Sequence, residues 1–313
     1  MIYETLLYSR VLPESERRRV EQYLATKWGI TLAPQVANLD AQDWINRVYL
    51  NGGTVSTSTA AAVNAFCNAI DAGVGGVSMR DRFYRLNLFC GNNLSACQVP
   101  LYRGASVSGT QYGNTIDISA GSPSFLTTDY AEGTGLTGNG SSKYLQTGVR
   151  PDQLPAGWEY NLHISAYRRT AGNDQALLGS YYYDTAIAAN RHNYEIAQNS
   201  IAMGTTGGPA SPAFPAYPFL QTGVRSSASI AVAYVNSTAG TTYTVPISAF
   251  ATNTPFAVFS RNLITGAPPS TGYTTTYWTS STLGGYSIGA AMTGPQVSAY
   301  SSAMQTFQAA LGR

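Results

Sequence analysis

From about Val99 to the last helix the chain is a series of short runs rich in aromatic and β-branched residues, each closed by a cluster of Gly, Asn, Asp or Pro. The runs fall at 124–128, 144–149, 160–167, 176–183, 193–197, 230–235, 242–247, 256–261, 273–278 and 283–288. Segments this short cannot carry helices of ordinary length, and repeated breakers at roughly 8–15-residue spacing force the chain to reverse again and again. An antiparallel sandwich of two sheets satisfies that pattern.

The flanks read differently. Val20, Tyr23, Leu24 and Trp28 recur at helical spacing behind Pro13, and Gly29 stops the run. Residues 2–8 before it read as a strand. A helix over 40–50 buries Trp44, Ile45 and Val48, and a third presents Val63, Phe66, Cys67 and Ile70 before Gly73. A fourth is expected to align Met79, Phe83, Leu86 and Cys90. The chain closes on a helix that Thr293 and Gln296 can cap reciprocally, with Val297, Tyr300, Met304, Phe307 and Leu311 on its apolar face.

Charge narrows the chemistry. Only 11% of the 313 residues are charged and the net charge is +2, against about 25% charged in ordinary domains. The charges crowd into residues 1–32, and no carboxylate side chain follows Glu195. The last third alone therefore cannot house the paired carboxylates of glycoside hydrolysis. Its three arginines, Arg225, Arg261 and Arg313, form no cationic stripe for nucleic acid. Arg17, Arg18 and Arg19 lie among Glu14, Glu16 and Glu21, as on a solvated helix face. The apolar run at Ala231–Val235 falls far short of the ~20 residues of a membrane helix. Glu4 and the lack of an apolar segment behind it argue against a Sec-type leader.

Discrete motifs are few. Cys67, Cys90 and Cys97 have no metal-site spacing and read as buried thiols, with a Cys90–Cys97 bridge as the sharper alternative. His163 and His192 lie far apart, and no Gly-x-Ser-x-Gly elbow supports a triad; His163 is expected to face outward or into an interface. Asp117, Asp129, Asp152, Asp174 and Asp184 lack the Asp-x-Asp spacing of a calcium loop, so calcium stays a minor possibility and no cofactor is expected. The glycines at 133–140 are turns, not a phosphate loop. Aromatic rings are the remaining ligand candidates: Tyr181, Tyr182, Tyr183, Trp158, Tyr217 and Trp278, against the reading that they fill a core or an interface. One hexapeptide occurs twice, at Leu145–Arg150 and Leu220–Arg225, and each copy reads as a strand end turning at glycine. A second echo joins the two ends of the chain: strand, Tyr-Ser, short loop and helix, at 3–29 and 283–312.

The segment Ile2-Tyr3-Glu4-Thr5-Leu6-Leu7-Tyr8-Ser9-Arg10-Val11-Leu12, continuing through Glu16-Arg17, Val20-Glu21, Tyr23-Leu24 and Lys27-Trp28-Gly29, resembles the closing strand and helix of LamG-like, concanavalin A-like jelly-roll domains. Pro13 stands where that pattern has a Ser before the helix. Residues 81–104 and 129–145 resemble uncharacterised jelly-roll proteins of tailed bacteriophages. The resemblance implies a mostly β chain, an antiparallel jelly-roll sandwich with a helical N-terminal region and a C-terminal helix. Its parts would be 1–32 as the closing unit of a preceding jelly roll, 33–98 as a helical adaptor, and 99–313 as the sandwich with its last helix.

It further implies a virion structural protein without enzymatic activity, of tail-fibre or receptor-binding type. The alternative is a capsid-decoration or head-fibre protein, and a polysaccharide-degrading enzyme on the same fold comes behind both. Its partners would be other virion subunits, further copies of itself and a host-surface glycan, with neither nucleic acid nor membrane insertion. The strand at 2–9 is expected to dock on the chain's own sandwich or on a neighbouring subunit, because an unpaired strand is an association template.

Overall fold

The computed structural model describes residues 6–30, 32–106, 108–173, 175–183, 191–197, 199–204, 213–244, 253–265 and 272–313. Three helices come first, α1 (Glu14–Trp28), α2 (Leu39–Leu50) and α3 (Thr57–Ala72). Asn38 caps α2 by accepting from the amides of Asp40 and Ala41, and Ser56 caps α3 through Thr59 N–H. Pro13 opens α1 without a side-chain cap, and Gly29 ends it in the left-handed conformation.

Strand and helix then alternate irregularly: β1 (Phe83–Asn87), α4 (Leu94–Cys97), β2 (Ile118–Ala120), β3 (Tyr130–Ala131), β4 (Gly135–Thr137), β5 (Tyr144–Gln146), β6 (Leu162–Arg168) and β7 (Ala176–Tyr183). The remainder comprises β8 (Arg191–Ala197), β9 (Ile201–Gly204), β10 (Phe219–Ser227), β11 (Ile230–Val235), β12 (Thr238–Ala239), β13 (Ala257–Val258), β14 (Arg261–Thr265), β15 (Thr274–Thr276), β16 (Thr282–Gly289) and α5 (Gly294–Ala310). The reciprocal cap expected at α5 is present: Thr293 Oγ1 accepts from Gln296 N–H while Gln296 Oε1 accepts from Thr293 N–H.

These strands build two sheets. The first runs β12-β11-β10-β6-β16-β4-β3, and β1 also pairs with β16. The second runs β15-β14-β7-β13-β5-β2, with β8 joining β7 to β9. Every pairing between these strands is antiparallel except β14 with β7. Leu162, Ile164 and Ala166 of β6 and Tyr286 and Ile288 of β16 meet Leu178, Ile196, Met203 and Val258 from the second sheet in one core. The expected two-sheet, mostly β arrangement is thus present.

The helices add a third layer. Val63, Phe66, Val297, Tyr300, Met304 and Phe307 from α3 and α5 share a second core with Phe83, Tyr167, Leu220 and Val224 on the far face of the first sheet. Sheet one is therefore covered on both sides, and all seven residues of β6 and all eight of β16 are buried. That explains one failure of the periodicity argument. Phe83 and Leu86 lie on β1, which is covered on both faces, while Met79 and Cys90 are buried in the segments on either side of it, so the expected fourth helix is a buried strand instead.

Other expectations shift as well. Residues 127–129 form a short 3-10 turn rather than part of a strand, and the 242–247 run lies partly outside the described residues. Of the proposed N-terminal strand, residues 1–5 lie outside the described residues, and Leu6–Tyr8 are exposed and unpaired in this chain.

The repeated hexapeptide takes two conformations. In the first copy β5 ends at Gln146 and the chain turns at Gly148, whose φ is +71°. In the second copy all six residues lie inside β10, and Arg225 is buried. A glycine at each centre permits both, but for different reasons. At Gly148 a Cβ would strike Asn114; at Gly223 it would strike Ile201 and Met203 across the core.

Candidate functional site

Arg85 on β1 has no solvent exposure, and neither has its partner Asp117. Asp117 also accepts from Tyr286 Oη at 2.8 Å and Asn87 Nδ2 at 2.7 Å, while Arg85 donates to the carbonyls of Tyr112 and Asn114. A buried ion pair gains little net stability over an apolar pair, because both charges lose their water. Here the surplus donors of Arg85 are spent on the backbone of 112–114. The pair fixes that loop to β1 from the inside.

The loop so held forms one wall of a polar pocket of about 500 Å³ at the rim of the second sheet. Gln111, Asn114, Arg150, Gln153, Asn253 and Tyr273 line it, with Gly113 and Gly148 between them. The glycines are spatial necessities: a Cβ on Gly113 would lie 2.4 Å from the Thr147 carbonyl oxygen, and one on Gly148 2.8 Å from Asn114 N. Gly113 also has a positive φ of +74°. The turn at Gly148 brings Arg150 to the pocket, where its guanidinium is held in a fork by Asp152, Nε to Oδ1 at 3.0 Å. Its counterpart Arg225 spends its donors on the carbonyls of Met203, Ser227 and Ala228 instead. The pocket carries no uncompensated charge from Arg150.

A second feature lies on the outer face of sheet two, which no helix core reaches among the described residues. Glu195 on β8 and Arg261 on β14 flank β7 and pair across it at 2.7 Å. Gly179 lies between them, and a Cβ there would come within 2.7 Å of Arg261 Cβ. The missing side chain is what lets the ion pair cross the strand. Arg261 also stacks on Tyr277 at 3.9 Å and on Tyr181 at 4.6 Å, a cation–π arrangement. Tyr277 is half exposed and left-handed, φ +62°, which is costly outside glycine and asparagine. Beside it, Asn173, Gln175, Thr276 and Trp278 line a cleft of about 320 Å³.

The aromatic candidates of the sequence scatter. Trp158 and Tyr182 are only 4% exposed, Trp158 packing edge-on against Tyr194 in the core, so neither presents a face to a ligand. Tyr217 stacks on Phe219 and Arg168 at a different place. Tyr181 and Trp278 alone fall near each other, through Tyr277. The side chain of Tyr183 lies outside the described residues, as do Asp174, Asp184 and the side chain of His192. The rim residues carried no sequence signal beyond the hexapeptide, since amides and glycines are common in every turn.

His163 corrects an expectation. It is fully buried under α5 and not outward-facing, because sheet one is covered on both sides. Nδ1 donates to the Ala290 carbonyl at 2.6 Å, which leaves Nε2 to accept from Ser287 at 3.0 Å. Ser287 then accepts from Ser165, and Ser165 from Tyr300. One carbonyl thereby sets the direction of the whole chain. Burial holds the imidazole neutral, with its pKa lowered to about 4.

The three cysteines are free and buried, and burial pushes the Cys67 thiol up to about 12. Asp117, Asp129 and Asp152 pair with Arg85, Lys143 and Arg150 respectively, on separate elements. Among the described residues no three His, Cys, Asp or Glu side chains cluster as metal ligands, and no helix is long and apolar enough to cross a membrane.

No protein-family model and no curated protein matches this sequence. Among solved structures, a Trypanosoma rangeli sialidase mutant displaying trans-sialidase activity is similar at 11% identity, with a TM-score of 0.45 over 80% of this chain and 39% of that one. The same organism's sialidase in complex with sialic acid is similar at 11% identity and a TM-score of 0.41, over 77% and 37%. The chain thus spans about two fifths of the length of these structures. The expectation of a chain without enzymatic activity is corrected by this result, since both neighbours are enzymes. A likeness of this degree assigns neither a reaction nor a site residue to this chain.

Proposed function

We propose that the chain is a structural and recognition component of a tailed-phage particle, a jelly-roll sandwich of concanavalin A-like kind that presents its second sheet to a host surface. The observation that carries this reading is its sidedness. Helices cover sheet one, while sheet two carries on its outer face the Glu195–Arg261 pair, the rings of Tyr181 and Tyr277 and the cleft beside Tyr277, with the polar pocket at its rim. A sheet face with part-exposed tyrosines suits weak, wet contacts that copy number multiplies. The resemblance of residues 81–104 and 129–145 to tailed-phage proteins supports the setting in a particle.

The test uses the full chain. Peptide mass spectrometry on purified particles of the virus encoding it should find the chain at structural copy number. The fluorescently labelled protein should bind host cells, and Tyr277→Ala with Arg261→Ala should abolish that binding. Absence from particles overturns the reading. Binding to capsids with none to cells transfers the chain to a decoration or head-fibre role.

A further inference from the structure

We propose that the rim pocket seats a neutral saccharide unit, read by the side-chain amides of Gln153 and Asn253 and by the phenol of Tyr273. Its volume of about 500 Å³ falls within the roughly 300–1,000 Å³ of small-ligand sites. The lining is unlike an ordinary small-molecule site, because amides, a phenol and glycine backbone replace the usual apolar walls. Amides both donate and accept, which matches hydroxyl groups that do the same. The side-chain polar groups of Gln153, Asn253 and Tyr273 make no hydrogen bond to another described residue.

The charge pattern selects among polar ligands. Arg150 is the cation of the lining, and Asp152 already forks it. An anionic ligand would meet that carboxylate as well as the guanidinium. A nucleic acid needs several free cations for its phosphates. A neutral polyhydroxyl ring meets neither obstacle.

The pocket is also held rigid before any ligand arrives. Arg85 and Asp117 tie the 112–114 loop to β1 by a pair whose burial is costly, and the chain closes around Gly113 and Gly148 with no room for a Cβ. Preorganisation of this kind lowers the ordering cost of binding. The two copies of the hexapeptide give an internal comparison. The same six residues bury their arginine in β10 but bring it to the rim after β5.

The proposal rests on the recognition reading only for where the saccharide comes from. It is tested on the full chain by saturation-transfer NMR and titration calorimetry with the methyl glycosides of glucose, galactose, mannose and N-acetylglucosamine, their short oligomers, and glucuronic acid. At least one neutral sugar should bind, with glucuronic acid weaker. Tyr273→Ala and Gln153→Ala should each weaken it tenfold or more with melting temperature unchanged, and Leu50→Ala at the exposed end of α2 should leave it within twofold. Three results overturn the proposal: no neutral saccharide binds, glucuronic acid is preferred, or Tyr273→Ala and Gln153→Ala bind as the parent does. Absence of the chain from particles would sink the recognition reading while leaving a measured affinity at this pocket intact.

Discussion

Arg85 carries its charge into the core with Asp117, Tyr286 and two backbone carbonyls to receive it. Removing Arg85 by Arg85→Met leaves Asp117 buried with two neutral donors and no counter-charge, which costs about 3–5 kcal/mol. Urea unfolding should show that loss, and the double variant Arg85→Met/Asp117→Leu should recover much of it. His163 makes the opposite prediction about pH. Its folded pKa of about 4 lies below the unfolded value of about 6.5, so its contribution is complete above pH 6.5. As the pH falls from there towards 4, the unfolded chain takes up a proton that the folded one refuses. Stability should drop by about 3 kcal/mol over that window, and denaturation midpoints at pH 7 and 4.5 will reveal it. Gly148→Ala adds strain at φ +71° and a clash with Asn114, so it should cost more than about 1 kcal/mol and distort the rim. Calorimetric melting compared with Gly133→Ala, where a Cβ meets nothing within 4 Å, isolates the effect.

Elements were legible where local chemistry and burial agree. The spans of β7 and β11 and the cap of α5 could be read from residues alone, because β-branched and aromatic runs and the Thr-x-x-Gln box are local signals. Thr293→Ala should therefore cost about 1 kcal/mol, measurable as a lower melting temperature. β1 was misread because a strand buried on both faces has no period of two. β10 was missed for another reason. Its Leu-Gln-Thr-Gly-Val-Arg reads as a strand end turning at glycine, and only pairing with β6 and β11 on both edges holds Gly223 extended. Of the candidate site, Tyr181 and Trp278 were visible as aromatics in strands. Arg261, Glu195 and Gly179 were not, because their meeting depends on strand order across sheet two. The rim pocket depends on the loops at 111–114, 148–153 and 253–255 meeting Tyr273, which no spacing along the chain encodes.

At the scale of the molecule, α1 stands apart. Tyr23 and Trp28 are 53% and 40% exposed, and none of the described α1 side chains enters either shared core. Deleting residues 1–32 should leave the melting temperature unchanged, and a fall of several degrees would show that the segment packs on this chain after all. The layered core has one further consequence, for exchange with solvent. β6 is flanked by β10 and β16 and covered by helices on one side and by sheet two on the other. A deuteron can reach its amides only when three layers part together. The protection of residues 163–167 therefore reports the free energy of opening the entire body, whereas amides at the rim and in α1 report local breathing alone.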